Sequence, residues 1–143
     1  MGRRSGGNAQ GLDGLIAIDS SIWIAHFRNA ISAKVGLLRA LFGREPLLVG
    51  DIVFLEVLRG ASDDRHAARL ARDLRAFDVV PMLGDIIAAQ AARNYRTLRA
   101  KGITIRKTPD LIIGTYCIEH HHMLLHDDRY FEPMREHLGL LVA

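Results

Sequence analysis

The chain has 143 residues, 49% of them hydrophobic, a formal net charge of +3 and a sequence pI near 9.4. That fits one domain with a sizeable core and excludes a disordered chain. No apolar run approaches the roughly 18 residues that span a bilayer, and the single cysteine, Cys117, has no partner for an internal disulfide.

The lone thiol suits a reducing cytoplasm, which is the expected location, and its apolar neighbours make it a buried structural group. The basic balance mildly favours an anionic partner. The opening MGRRSGGNAQG is polar and glycine-rich and lacks the apolar stretch of a secretory signal. Residues 1–13 read as a flexible leader, and residues 14–143 as the domain.

Short apolar strands alternate with amphipathic helices. LIAID (15–19) reads as a buried strand and SSIWIAHFRNA (20–30) as a helix. SAKVGLLRALF (32–42) is a second helix, capped by Ser32 and stopped by Gly43. EPLLVG (45–50) is a strand. Asp51 then caps a helix over DIVFLEVLRG, which Gly60 ends. SDDRHAARLARDLRAF (62–77) is helical, with acids in its first turn. DVVPM (78–82) is a strand, and residues 84–101 form a long helix stopped by Gly102. Thr108 and Pro109 start another helix as capping hydroxyl and first-turn proline, and it runs through DLIIGTYCIEHH. MLLH (123–126) is a strand, RYFEPMREHLG (129–139) is helical, and LLVA (140–143) is a possible last strand. This alternation implies an α/β fold: a parallel sheet with helices on both faces in three Rossmann-like layers.

In open sheets of this kind ligands sit beyond the carboxyl ends of the strands. Asp19 ends the first strand, and Asp127 and Asp128 follow MLLH. Each is either a helix N-cap or a ligand. Glu56 stands in IVFLEVL among apolar neighbours. An ionised carboxylate there is costly unless paired or metal-bound, or unless it turns outward or pairs with Arg59. Asp110 lies in a first helical turn, where the macrodipole alone explains a negative charge. If Asp19, Glu56, Asp110 and Asp128 converge, they need cations to stay ionised. Oxygen ligands without nitrogen or sulfur suit Mg²⁺ or Mn²⁺, the design of metal-assisted phosphodiester hydrolysis.

IDSSIWI, EVLRG, DLIIGTYCIEH and LLHDDRYFEPM, in this order and spacing, resemble the PIN-domain ribonucleases, specifically the VapC-type toxins of bacterial toxin–antitoxin pairs. The resemblance covers the chain from about Leu15 to Val142. It implies a single PIN domain and Mg²⁺- or Mn²⁺-dependent endonucleolytic cleavage of tRNA, rRNA or mRNA. It also implies a homodimer and inhibition by a cognate antitoxin. Asp19, Glu56, Asp110 and Asp128 match the family's metal-binding acids, and Ser21 a small polar residue that supports the site. Asp127 takes a variable position. Tyr130 departs from the pattern, standing where relatives often offer another acid or polar ligand, so Asp127 or Tyr130 is left to compensate.

His120 to His122 do not form a zinc site, because consecutive helical residues point about 100° apart; they suit a helix end. His126 belongs to the strand end and either modulates the acids or packs. Arg65, Arg69 and Arg72 read as a solvated helix face. Arg93, Arg96 and Arg99, followed by Lys101, Arg106 and Lys107, lead towards Asp110 and are the better candidates for RNA phosphates. Trp23, Phe27 and Phe42 read as core or interface. The competing function is a PIN-scaffold RNA-binding or interaction protein with weak or no catalysis, which Tyr130 favours. An aspartate phosphotransferase would want an acid where Ser21 stands, and no glycine-rich phosphate loop follows the first strand.

Overall fold

The computed structural model describes residues 14–143; the expected leader, residues 1–13, lies outside the described residues. Five strands form one sheet: β1 (Ile16–Ile18), β2 (Leu47–Gly50), β3 (Asp78–Val80), β4 (Met123–Leu125) and β5 (Leu141–Val142). Seven helices accompany them: α1 (Ser20–Phe27), α2 (Ala33–Leu41), α3 (Asp51–Leu58), α4 (Asp64–Leu74), α5 (Asp85–Ala100), α6 (Thr108–His120) and α7 (Glu132–Leu138). The strand order is β3-β2-β1-β4-β5 and every pairing is parallel.

That order has a mechanical consequence. From β1 the chain steps through β2 to β3 in one direction, then returns through α5 and α6 to place β4 on the other flank of β1. Right-handed crossovers put helices made on the outward run on one face and those made after the return on the other. The packing agrees: α1 lies against α2 and α3, and α3 against α4, while α5 packs on α6 and α7. The direction reverses between β1 and β4, and such a switch point opens a crevice at the carboxyl ends of the strands.

The central strands are buried on both faces, as parallel strands between helices must be. Ala17, Ile18, Leu48, Val49, Leu124 and Leu125 are at most 1% exposed. On the α1 side Trp23 anchors an aromatic cluster, its ring 5.9 Å from Phe27, 6.1 Å from Phe42 and 5.3 Å from Phe77. On the other side Asn94 donates 3.0 Å to Thr115, a buried polar pair joining α5 to α6. Gly114 of α6 lies directly under Met134 of α7, and a Cβ there would collide with the thioether. Cys117 is fully buried and its thiol is pushed up to about 12 by desolvation, so it is inert.

Several local expectations hold and others need correcting. Ser32 caps α2 through the Val35 N–H as expected, while Asp63, read as a first-turn acid, is the cap of α4 through the His66 N–H; each cap is worth about 0.5–2 kcal/mol. Asp51, however, is not the cap of α3. Gly50 takes that position, and the Asp51 carboxylate instead accepts from the Met82 N–H at 3.1 Å, tying α3 to the exit of β3. Thr108 is likewise the first residue of α6 rather than its cap; Lys107 precedes it with no side-chain cap bond, and Pro109 occupies the first turn. The first helix ends at Phe27, with Asn29 in the left-handed region just beyond. RYFEPMREHLG divides into a 3-10 turn, Arg129–Phe131, and α7. His121 ends α6 in the left-handed region, the helix-end role expected of the histidine run.

Candidate active site

The crevice between β1 and β4 collects the acids. Asp19 directly follows β1, and its N–H donates to the Leu125 carbonyl at 2.9 Å, extending the β1–β4 pairing by one step. The same residue is the N-cap of α1. Its Oδ2 accepts from the Ser21 hydroxyl at 2.7 Å and from the Ser21 N–H at 3.3 Å. Ser21 therefore does hold a carboxylate. Asp128 lies three residues beyond β4 and caps the 3-10 turn, accepting from the Tyr130 N–H at 3.0 Å. Its own N–H donates 3.1 Å to His126 Nδ1, so that nitrogen is unprotonated. His126 is buried against Phe131, with ring centroids 4.8 Å apart.

Glu56 comes from α3, which packs on α1. It neither points freely outward nor pairs with Arg59: it is half-buried, and its Oε1 accepts from the Ser20 hydroxyl at 3.0 Å. Sequence reasoning singled out Ser21 and passed over Ser20. The two adjacent hydroxyls at the start of α1 serve two different acids, and the SS pair directly after Asp19 was the signal for both.

Asp110 is the surprise. A helix start explains an exposed acid, yet Asp110 is 5% exposed, and its Oδ2 is buried with no hydrogen-bond partner. Its carboxyl is pushed up to about 7, first by desolvation, then by the charges of Asp19 and Asp128, with Glu56 adding and Lys107 opposing. Asp19, 3% exposed, is also raised, chiefly by desolvation, against the hydrogen bonds from Ser21 and with a further push from Asp128. Its Oδ1 has no partner either. Asp128 goes the other way. Burial alone would raise it, but the Tyr130 N–H and the Lys107 ammonium more than offset that and leave it below the ordinary carboxylate range. Lys107 Nζ donates 3.1 Å to Asp128 Oδ2 and is itself raised by the contact.

The four acids thus sit in one electrostatic neighbourhood, three of them held by separate partners: Asp19 by Ser21, Glu56 by Ser20, and Asp128 by Tyr130 and Lys107. Among the described residues, no three His, Cys, Asp or Glu side chains are arranged as a ready-made metal-binding group. Mutual repulsion gives a physical reason, because like charges in a low-dielectric crevice turn to hydroxyls and ammonium where these are available. The donor chemistry nevertheless fits a hard divalent cation. Two buried carboxylate oxygens, on Asp19 and Asp110, lack partners, and the carboxylates of Asp128 and Glu56 lie close enough to act on Asp110, a set of oxygen donors that suits such an ion.

Around this centre, Asp127 is exposed, and Tyr130 is half-buried at the rim of an open depression of about 530 Å³. Lys34 of α2, which the sequence did not single out, also lines that depression. Arg93, Arg96, Arg99 and Arg106 are exposed, and Arg99 donates 2.9 Å to Thr104. Lys107, grouped with them from the sequence, is engaged with an acid of the site. His120 packs at a tilt on Tyr116 with centroids 4.2 Å apart, and His122 Nδ1 accepts from the Leu15 N–H at 3.1 Å, so these two histidines serve packing.

A parallel α/β domain with an acidic crevice at its topological switch point defines a class, and comparison with known proteins narrows it. The chain belongs to the PIN domain family, whose profile matches residues 16–136. It is similar to VapC ribonuclease Mb1587 of Mycobacterium bovis and to ribonuclease VapC11 of Mycobacterium tuberculosis. Each is 29% identical over 131 residues, covering 90% of this chain and 98% of the relative. The fold is shared with VapBC2 from Rickettsia felis, solved bound to a promoter DNA fragment. That match has a TM-score of 0.72 and 14% identity, covering 90% of this chain and 97% of that one. VapBC-1 from nontypeable Haemophilus influenzae matches with a TM-score of 0.70 and 17% identity, over 90% and 96% of the two chains.

Proposed function

We propose that this protein is a metal-dependent RNA endonuclease, the toxin component of a toxin–antitoxin pair. The observation that carries the reading is the pair of buried, mutually repelling carboxylates, Asp19 and Asp110, each with an unpartnered oxygen, beside Asp128 at the switch point. Such an arrangement is unfavourable by itself and becomes favourable around a cation. The ribonuclease names of its relatives, and the toxin–antitoxin complex from Klebsiella pneumoniae whose fold it shares at a TM-score of 0.65 and 20% identity, support the same reading.

Asp19, Glu56, Asp110 and Asp128 are the residues that would hold Mg²⁺ or Mn²⁺. Bound there, the metal would activate a water against the phosphodiester and stabilise the charge that develops on the leaving oxygen. The chain's own groups prepare the site. Ser21 orients Asp19, and Ser20 orients Glu56. The His126 ring and the Tyr130 N–H fix the loop that presents Asp128. Lys107 neutralises Asp128 in the metal-free protein and is free to move to a phosphate. Arg93, Arg96, Arg99 and Arg106 supply further positive charge for the RNA backbone. The partners are an RNA substrate drawn from tRNA, rRNA or mRNA, a cognate antitoxin, and a second copy of this chain in a homodimer. The setting is the cytoplasm, in keeping with the lone buried thiol; among the described residues no helix is long and apolar enough to cross a membrane.

Incubation of the purified protein with pooled tRNA, rRNA and mRNA tests this. Cleavage with Mg²⁺ or Mn²⁺ should vanish with a chelator and fall by about 10³-fold or more in Asp19→Ala and Asp128→Ala. Intact RNA under all metal conditions would sink the reading. One contact favours the alternative, a non-cleaving RNA-binding protein: Lys107 ties up an Asp128 oxygen. RNA binding indifferent to chelator and to loss of the acids, without cleavage, would select it.

A further inference from the structure

We infer that Tyr130 is a stacking platform for an unpaired base of the RNA, beside the phosphate that the acids address. The inference rests on the RNA-cleaving reading above and adds the form in which the substrate is held: single-stranded, with one base turned out onto this ring.

Tyr130 stands where an oxygen ligand was expected, and the structure gives its ring a different setting. The backbone N–H is tied to Asp128 Oδ1 at 3.0 Å, which holds the main chain that carries the ring beside the acid. Asp128 is anchored in turn by His126, whose ring is buried against Phe131. The main chain under the platform is therefore already ordered, which reduces what binding must supply. The ring itself is half-buried rather than part of the core, and it borders the 530 Å³ depression. That volume lies within the roughly 300–1,000 Å³ range of small-molecule sites.

Two cations attend the ring. Lys107 Nζ lies 5.5 Å from its centroid, and the Arg129 guanidinium carbon 5.6 Å. Both residues are exposed. An exposed cation–π contact is weaker than the stacking of a base on an aromatic ring. An incoming base therefore displaces the cations, and the displaced charges are already beside the phosphates that flank that base. Lys34 adds a third cation at the same depression. The lining also carries Asp127, Asp128 and Glu132, so net charge does not choose the occupant; the ring does, because an unpaired base offers a π-face to stack on it and brings phosphates for the cations.

The test is metal-free binding, read by fluorescence anisotropy in chelator. The probes are a labelled, randomised single-stranded RNA of about 15 nucleotides and a strand of equal length made of abasic ribose phosphates. The wild type should prefer the base-bearing strand by about tenfold. Tyr130→Ala should abolish that preference while keeping its affinity for the abasic strand, and Tyr130→Phe should retain it. Lys107→Gln should weaken both strands together. A wild-type preference that survives in Tyr130→Ala overturns the inference. So does equal wild-type binding to both strands, which would leave the ribonuclease reading intact with phosphates alone holding the RNA. Failure of the wild type to bind either strand overturns the platform alone, since carboxylates without a cation repel RNA, and the ribonuclease reading is then decided by the cleavage assay with metal. Because Tyr130 is only half-buried, Tyr130→Ala should stay folded, and its melting curve checks that.

Discussion

The inner and outer acids of the crevice obey opposite rules. Asp19 and Asp110 are 3% and 5% exposed, carry raised pKa values, and each leaves one oxygen without a partner. The Asp128 side chain is 17% exposed, has a lowered pKa, and is satisfied by the Tyr130 N–H and by Lys107. The inner pair is a cost that the fold bears without a cation. The outer acid contributes to local order whether or not a cation is present. A site divided in this way keeps its frame when empty and reserves its affinity for charge at the buried end.

The largest expected effect separates activity from stability at a single position. Asp110→Asn should reduce RNA cleavage by about 10³-fold or more. The same change should raise the melting temperature of the metal-free protein near pH 8 by several degrees, on the order of 1–3 kcal/mol, because it removes a buried charge that its neighbours repel. A loss of stability in chelator would break the comparison.

The next effect concerns pH. The Asp110 carboxyl rises from its ordinary 3.8 to about 7 in the fold. Between those values the folded chain holds a proton that the unfolded chain has released. The contribution of Asp110 to the stability of the metal-free protein should therefore fall as pH rises from about 4 through 7, while His26 and His126, lowered by burial, work in the opposite sense; the difference from Asp110→Asn isolates it. Asp19 contributes with the same sign. Asp128, with its lowered value, works in the opposite sense and only at lower pH, where its contribution is lost as pH falls through its folded pKa. Because a cation needs ionised carboxylates, added Mg²⁺ or Mn²⁺ should raise the melting temperature more at about pH 8 than at about pH 5.5. Calorimetric scans across pH, with and without metal, check both statements.

Smaller effects belong to the outer half. Lys107→Gln breaks a pair whose lysine side chain is 58% exposed. Its cost in stability should stay within about 1 kcal/mol, and salt should reduce it. Smallest of all, Asp127→Ala should change stability by no more than about 0.5 kcal/mol and leave cleavage within about twofold of wild type, since the residue is exposed at the rim. A large loss there would move Asp127 into the site.

Periodicity and strand-end chemistry made much of this legible. The alternation of LIAID, LLVG and MLLH with amphipathic segments marked the parallel sheet, and the acids after the first and fourth strands marked its working edge. The strand order was not legible. It depends on the return of α5 and α6 across the sheet, a tertiary choice that leaves no local pattern. The weight of Asp110 was hidden for a related reason. A first-turn acid is adequately explained by the helix dipole, and only the packing of α6 against the neighbouring elements reveals its burial. Lys107 read as one of a run of basic residues, and its pairing with Asp128 spans 21 positions that no spacing rule connects. Glu56 was conspicuous among apolar neighbours, but its partner Ser20 lies 36 positions away.

Gly114 and Met134 leave a signature of a different kind. Because the thioether occupies the space a Cβ at position 114 would need, neither position is free to change alone. Gly114→Ala calls for a shorter residue at 134, and a β-branched residue at 134 would withdraw the flexible chain that fills the notch. The two positions should therefore drift together over evolutionary time, as a coupled pair joining the helix that carries Asp110 to the segment after Asp128. Covariation between them would be a historical record of two halves of one crevice kept in register.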